Sequence, residues 1–319
     1  MYIPYIYIHC CKMSKHSIPF VSVHLMGGLG NQLFQIFATI AEAKQCNVDF
    51  IFPYSSILPY NGPIGNGTPR YTYWHSLLDN LLNHTTYIDN LNQNNPTMTN
   101  DDIDRFMVLK ENGFHYTPLQ ERITSNVKLF GYYQSYKYFE REFREICELV
   151  GIPDQRASVR LIYRSRFEPN THTISMHFRL GDYKALQHCH PIMSFEYYEK
   201  ALSLIVTSRP PLTKFNVLYF CEKDDNAQVN ETIRRLQSIQ ELENVQYSKV
   251  NDDIEDYQQM LLMSCCDDHI IANSSFSWWG AYFNTGENKI VCYPSRWFGP
   301  AITADLRDLF PPSWHKILC

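Results

Sequence analysis

The chain has 319 residues, a net charge of −5, and 45% hydrophobic against 19% charged residues, which is the composition of a folded globular protein. At roughly 150 residues per domain, its length predicts two domains. Mild acidity and the lack of a long basic run exclude bulk binding to nucleic acid, although one or two arginines can still meet a phosphate.

Met1 to Cys11 is apolar but shorter than the ~20 residues a membrane span needs, and no basic residue precedes it as in a signal peptide. Residues 1–19 read as an N-terminal extension, with Met1 or Met13 as the start, and no later stretch reads as a membrane anchor. The ten cysteines lack zinc-site spacing even at Cys10-Cys11 and Cys265-Cys266, so free thiols in a reducing compartment are expected. The Asn-x-Thr triplets at Asn66, Asn83 and Asn230 would matter only in a secreted protein.

Phe20 to Met26 is a short β-branched run ending in glycines, hence a buried strand. Gly27 to Gln32 follows, then a helix with Leu33, Phe34, Phe37, Ile40 and Ala41 at helical spacing. Such a strand, loop and helix opens an α/β domain and presents N–H groups at a helix start. Val48 to Phe52 is a second strand, and residues 54–126 read as loop-rich, with short helices near 74–82 and 101–106. Val127 to Tyr133 predicts a strand and Tyr136 to Val150 a helix stopped by Gly151 and Pro153. A boundary is expected within 151–172, dividing the chain into 20–160 and 161–319.

The second half alternates strands (173–178, 215–221, 245–247, 269–273) with helices (195–206, 224–236, 253–266, 276–283), and 290–293 is its last expected strand. Alternation of this kind implies parallel sheets, with ligands at the carboxyl ends of the strands.

Three loops after strands carry polar residues. Gly27 to Gln32 is neither a Walker loop nor a dinucleotide fingerprint, since Leu33 stands where a third glycine belongs. In the second, His177 and Arg179 share a face, and an arginine fork suits diphosphate oxygens; an Arg179–Asp182 ion pair with a core histidine is the bland alternative. The third, Asn273 to Gly280, places Ser274, Ser275 and Ser277 at a helix start, as caps or as an anion site. The adjacent Trp278 and Trp279 cannot share one helical face, so one is expected to line a pocket.

Together GGLGNQLFQ, HFRLGDY and NSSFSWWGAYFN resemble glycosyltransferase family 11, the α-1,2-fucosyltransferases and their α-1,3 relatives. Gly131 to Ser135, Tyr138-Phe139, Met260 to Ser264 and Pro294 to Phe298 agree in order, so the resemblance spans 21 to about 300.

It implies an α/β fold of two Rossmann-like domains facing a cleft, the GT-B type. The first, 20–160, would lie on the acceptor side, and the second, 161–319, would bind the donor. It also implies inverting transfer of L-fucose from GDP-fucose to an acceptor glycan, with no metal or other cofactor; the absence of an Asp-x-Asp beside a strand end agrees. Carried over, Arg179 faces the diphosphate beside His177 and Asp182. Gly28, Gly30, Asn31, Gln32, Asn273, Ser274, Ser275, Phe276, Ser277 and Trp278 line the donor site.

Leu180 stands where the family has a second arginine, and Gln259 where it often has a carboxylate, leaving Asp256 to meet guanine. His24, Asp182 and Glu255 are candidate bases for the acceptor proton. Alternatives are another GDP-sugar or linkage, an inactive glycan- or nucleotide-binding protein, and, remotely, a nicotinamide oxidoreductase. The predicted lack of a membrane anchor favours a cytoplasmic enzyme of bacterial or viral type.

Overall fold

The computed structural model describes residues 18–58, 69–87, 98–119 and 122–319; Met1, Met13, Cys10-Cys11 and the Asn66 triplet lie outside them. The first strand, β1 (Phe20–Val23), buries Val21 and Val23 completely. After the glycine loop, α1 (Leu29–Cys46) is buried almost all round, with Leu33, Phe34, Ile36, Phe37 and Ile40 fully enclosed. That pattern belongs to a helix packed on both sides, and each such side chain contributes about 1.5–3 kcal/mol by leaving water.

Next come β2 (Asp49–Phe50), the antiparallel pair β3 (Ile57–Leu58) and β4 (Arg70–Tyr71), and α2 (Asn100–Asp104) with a Thr99–Asp102 capping box. The strands β5 (Met107–Lys110) and β6 (Val127–Phe130) complete a parallel sheet of order β2-β1-β6-β5. The stretch expected to be loop-rich therefore contributes an edge strand. It went unread because β5 is short and largely exposed, and so shows no apolar alternation.

The helix expected over 136–150 begins only at Phe143, as α3 (Phe143–Val150), after a 3-10 turn at Tyr136–Tyr138. Gly151, with φ of 80°, ends α3 and also opens α4 (Ile152–Ile162), whose first turn holds Pro153. The glycine–proline pair expected to end a helix thus ends one and starts the next, since proline suits a first helical turn.

A second parallel sheet, of order β12-β11-β10-β7-β8-β9, is built from β7 (Thr171–His177), α5 (Phe195–Ser208), β8 (Lys214–Phe220), α6 (Asn226–Gln237) and β9 (Val245–Lys249). It continues through α7 (Asp256–Ser264), β10 (Asp268–Ile270), α8 (Ser275–Tyr282), β11 (Val291–Pro294) and β12 (His315–Ile317). The strand expected to be last is followed by β12, a three-residue edge too short and exposed to show a pattern.

One face of this sheet forms a core with α5 and α6; the other shares a continuous core with the first sheet. At that junction Phe34 lies 4.5 Å from Trp278 and Phe37 lies 4.7 Å from Trp279, ring centre to ring centre. Both indoles are fully buried, so the expectation that one lines a pocket is corrected: α8 has core on both sides.

His269 sits in this interior, held between Ser175 Oγ and Asn284 Nδ2 at 2.8 Å each. Burial drives its pKa down to about 3, and burial followed by Arg179 does the same to His177. The unfolded chain takes up these protons near pH 6.5, the folded chain only near 3, so the stability present above 6.5 is lost as pH falls through that window. The urea midpoint should drop between pH 7 and pH 5, and less steeply in His269→Gln; equal midpoints in the wild type would refute this.

Candidate active site

The loops beyond the carboxyl ends of β7, β8 and β10 meet those beyond β1 and β6. Two residues past β7, Arg179 is held by two carboxylates: Nη2 donates to Asp182 Oδ1 at 2.6 Å, and Nη1 donates to Glu222, beyond β8. Its guanidinium also lies 5.2 Å from the Tyr183 ring centre. Burial works against the charge, but Asp182 above all, with Tyr183 and Glu222, outweighs it and raises the pKa. The turn Gly181–Ala185 hangs on the buried Asp225, which accepts from Gly181 N at 2.8 Å and Lys184 Nζ at 2.6 Å. Gly181 has φ of 29°, and a Cβ there would stand 2.6 Å from the Glu222 carboxylate, so glycine lets Glu222 reach Arg179.

His177 ends β7 with its ring 5.6 Å from Phe276. Its low pKa keeps it neutral at ordinary pH, and its Nδ1 has no partner among the described residues. The side-chain amide of Asn273 donates to the Pro191 and Trp297 carbonyls at 2.9 and 3.1 Å, tying three loops together. The Asn273 carbonyl accepts from the Tyr183 hydroxyl at 3.2 Å. Two more buried atoms in this group of loops, Asn273 Oδ1 and His190 Nδ1, also lack partners among the described residues. Such atoms cost free energy unless something satisfies them.

The serine loop has divided roles. Ser274 caps α8, its Oγ accepting from Phe276 N at 3.3 Å. Ser275 Oγ donates to Asn31 Oδ1 at 2.7 Å, and Gln134 Nε2 donates to the same oxygen at 2.8 Å, so Asn31 joins the two sheets. Ser277 is buried, its hydroxyl on the Ser274 carbonyl at 3.4 Å. Trp278, expected beside the donor, is corrected to a core residue whose Nε1 donates to Leu309 O at 2.9 Å.

Gly30 faces the same junction: a Cβ on it would lie 2.4 Å from the Ser275 carbonyl carbon, and its own carbonyl accepts from Trp279 Nε1 at 2.9 Å. A Cβ on Gly28 would meet nothing within 4 Å, so that side of the loop is open. Gln32 is fully buried; its amide donates to Gly27 O at 3.0 Å and to Tyr71 O at 2.9 Å, which fastens β4. Asp256, expected at guanine, accepts from the Tyr73 hydroxyl through Oδ2 and from Tyr257 N at 2.7 Å through Oδ1.

Of the two departures, Leu180 is 4% exposed within the α5 core, and Gln259 Nε2 donates to Ile254 O at 2.8 Å. Among the candidate bases, Asp182 is tied by Arg179 and Glu255 precedes α7. His24 stacks on Phe130 at 5.2 Å, its pKa lowered by burial and then by Lys128.

Sequence reasoning missed Glu222, Arg70, Tyr73 and Glu111. Arg70 lies 3.6 Å from Asp182 Oδ2. Glu111 accepts from Tyr132 N at 2.7 Å, and burial raises its pKa. None of the four sits in a recognisable motif; the one available signal is that Glu222 follows the strand expected over 215–221, whereas the strand before Glu111, β5, shows no pattern. Cavities of about 740 and 530 Å³ lie elsewhere, beside Glu42 and Arg141 and beside Arg156 and Arg209.

Two parallel sheets, whose strand-end loops meet at the Asn31–Ser275 contact and at the Arg70–Asp182–Arg179 group, form the α/β frame of a glycosyltransferase. The chain belongs to glycosyl transferase family 11, whose model matches residues 103–317. It is 32% identical over 180 residues to the O-antigen biosynthesis glycosyltransferase WbnK of Escherichia coli, a match covering 53% of this chain and about half, 55%, of that protein. It is 26% identical over 313 residues to an Escherichia coli alpha-1,2-colitosyltransferase, covering 93% of this chain and 98% of the other. A solved structure of a mutant of Arabidopsis thaliana FUT1 in complex with GDP is similar at 10% identity and a TM-score of 0.47, over 86% of this chain and 70% of that one.

Among the described residues, no three His, Cys, Asp or Glu are grouped so as to hold a metal ion, and no helix is long and apolar enough to cross a membrane.

Proposed function

We propose that the chain is an inverting fucosyltransferase that moves L-fucose from GDP-fucose to a hydroxyl of an acceptor glycan, the 2-OH of galactose foremost. The observation that carries this reading is Arg179, a bidentate cation at the junction of the two sheets whose partners include a carboxylate, Glu222, that is 54% exposed. A diphosphate displaces that carboxylate at little cost and takes its place on the guanidinium. The acceptor oxygen attacks C1 of fucose from the opposite face, the C1–O bond to the diphosphate breaks, GDP leaves, and the acceptor proton passes to a base or to water. Stabilising the departing diphosphate is the main contribution of Arg179. The reaction as proposed uses no metal.

The relative named an alpha-1,2-colitosyltransferase, matched over nearly its whole length, supports the α-1,2 linkage and favours one second reading, colitose as the transferred sugar. The eight free cysteines of the described residues, six of them buried, support work in a reducing compartment such as the cytoplasm.

The test is GDP release over galactose-terminated acceptors, with EDTA present and with GDP-fucose and GDP-colitose as separate donors. Acceptor-dependent release from GDP-fucose is expected. Release from GDP-colitose alone would move the assignment to that donor. Binding of GDP-fucose without release on any acceptor would leave a binding protein instead.

A further inference from the structure

We propose that Arg70, on β4 of the antiparallel β3–β4 pair, is a second ligand of the donor diphosphate. The inference rests on the nucleotide-sugar reading above and adds a residue that sequence patterns did not single out.

Arg70 comes from the first half of the chain, yet its guanidinium lies 3.6 Å from Asp182 Oδ2, while Arg179 occupies Oδ1 of the same carboxylate at 2.6 Å. One carboxylate therefore sits between two guanidinium groups. The two arginines differ in what they have left to give. Arg179 has both terminal nitrogens engaged. Arg70 makes this one loose ion pair, donates no hydrogen bond among the described residues, and has a side chain 42% exposed. A planar cation with its donors unspent beside the phosphate-facing arginine is suited to a second pair of phosphate oxygens.

The placement is built rather than incidental. Next to Arg70, the Tyr71 carbonyl is fastened by the buried amide of Gln32 at 2.9 Å, and the Tyr73 hydroxyl donates to Asp256 at the start of α7. These two ties hold the end of β4 between the sheets, and Arg70 points from it toward the turn that carries Asp182. The charges agree: Arg70, Arg179, Asp182 and Glu222 sum to zero, so the exchange of exposed Glu222 for diphosphate leaves two cations and one anion facing the ligand. Leu180 is turned into the core and offers no charge here, so the second cation comes from another part of the chain.

The experiment compares GDP with GMP by calorimetry on the full chain. Arg70→Ala should weaken GDP about 10- to 100-fold, the range of one charge-assisted contact, change GMP less than about 2-fold, and leave the melting temperature in place. Arg70→Lys should restore part of the loss. The same substitution in an Asp182→Asn background separates direct contact from mere neutralisation of Asp182. A loss that persists there supports the contact, and one that vanishes overturns it. Equal weakening of GDP and GMP, or no weakening, would also overturn it. If the wild type binds neither nucleotide, the donor reading itself fails and this inference falls with it.

Discussion

Arg179→Ala is expected to lower turnover of GDP-fucose by roughly 10²- to 10³-fold, the size of one preorganised charge at a departing anion. Both terminal nitrogens point at carboxylates, and the Asp182 contact at 2.6 Å fixes the orientation of the fork. Lysine should not rescue it, because a single ammonium cannot reproduce a planar fork. If Arg179 only closed a surface ion pair, alanine would cost about 1 kcal/mol of stability or less and spare turnover. The discriminating measurement is therefore initial-rate GDP release at saturating donor, with a melting curve on the same sample. A small melting shift with turnover intact would remove Arg179 from the mechanism.

Gly30→Ala should destabilise the whole protein, by about 3 kcal/mol, at the upper end for overpacking. Intrinsic helix propensity predicts the opposite sign, since alanine in a helix gains about 1 kcal/mol over glycine. The clash decides. The added methyl would lie 2.4 Å from the Ser275 carbonyl carbon and 2.6 Å from Phe276 N, which are backbone atoms with no rotamer to change. Relief requires α1 and α8 to separate, which breaks the Trp279–Gly30 bond of 2.9 Å and the Ser275–Asn31 bond of 2.7 Å. Gly28→Ala is the control. Nothing lies within 4 Å of its Cβ, and the cost is about 1 kcal/mol, the usual loss at a helix cap. Thermal melts should show Gly30→Ala several degrees below Gly28→Ala; coincident melts would mean that the sheets do not meet as closely as described.

Much of the architecture was legible because it lies in local patterns. Phe20–Val23 followed by Gly27–Gly30 reads as a strand, a turn and a helix, and the second half alternates short strands with helices in regular order. The short edges β5 and β12 were not legible, since an exposed three- or four-residue strand shows no periodicity and exists because a neighbour pairs with it. Gly151–Pro153 was recognised as a stop, but a stop is also a start when the next residues find a helix to pack on, and Arg156 does so at Ser264 Oγ, 2.9 Å away.

The site divides along the same line. Arg179, Asn273, Ser274 and the glycine loop announce themselves because motif residues sit at strand ends, where chemistry gathers. By itself the sequence determined the class of fold and the family, and it singled out Arg179 as a candidate. Only the tertiary structure decided that Trp278 is core and Gln32 a fastening for β4, that Asp256 is spent on Tyr73, and that Glu222 and Arg70 stand beside Arg179. Those roles depend on which distant loops arrive at the same place, and a long-range meeting leaves no mark on local spacing: Arg70 and Asp182 are brought to 3.6 Å by the packing of two sheets, not by anything written near either residue.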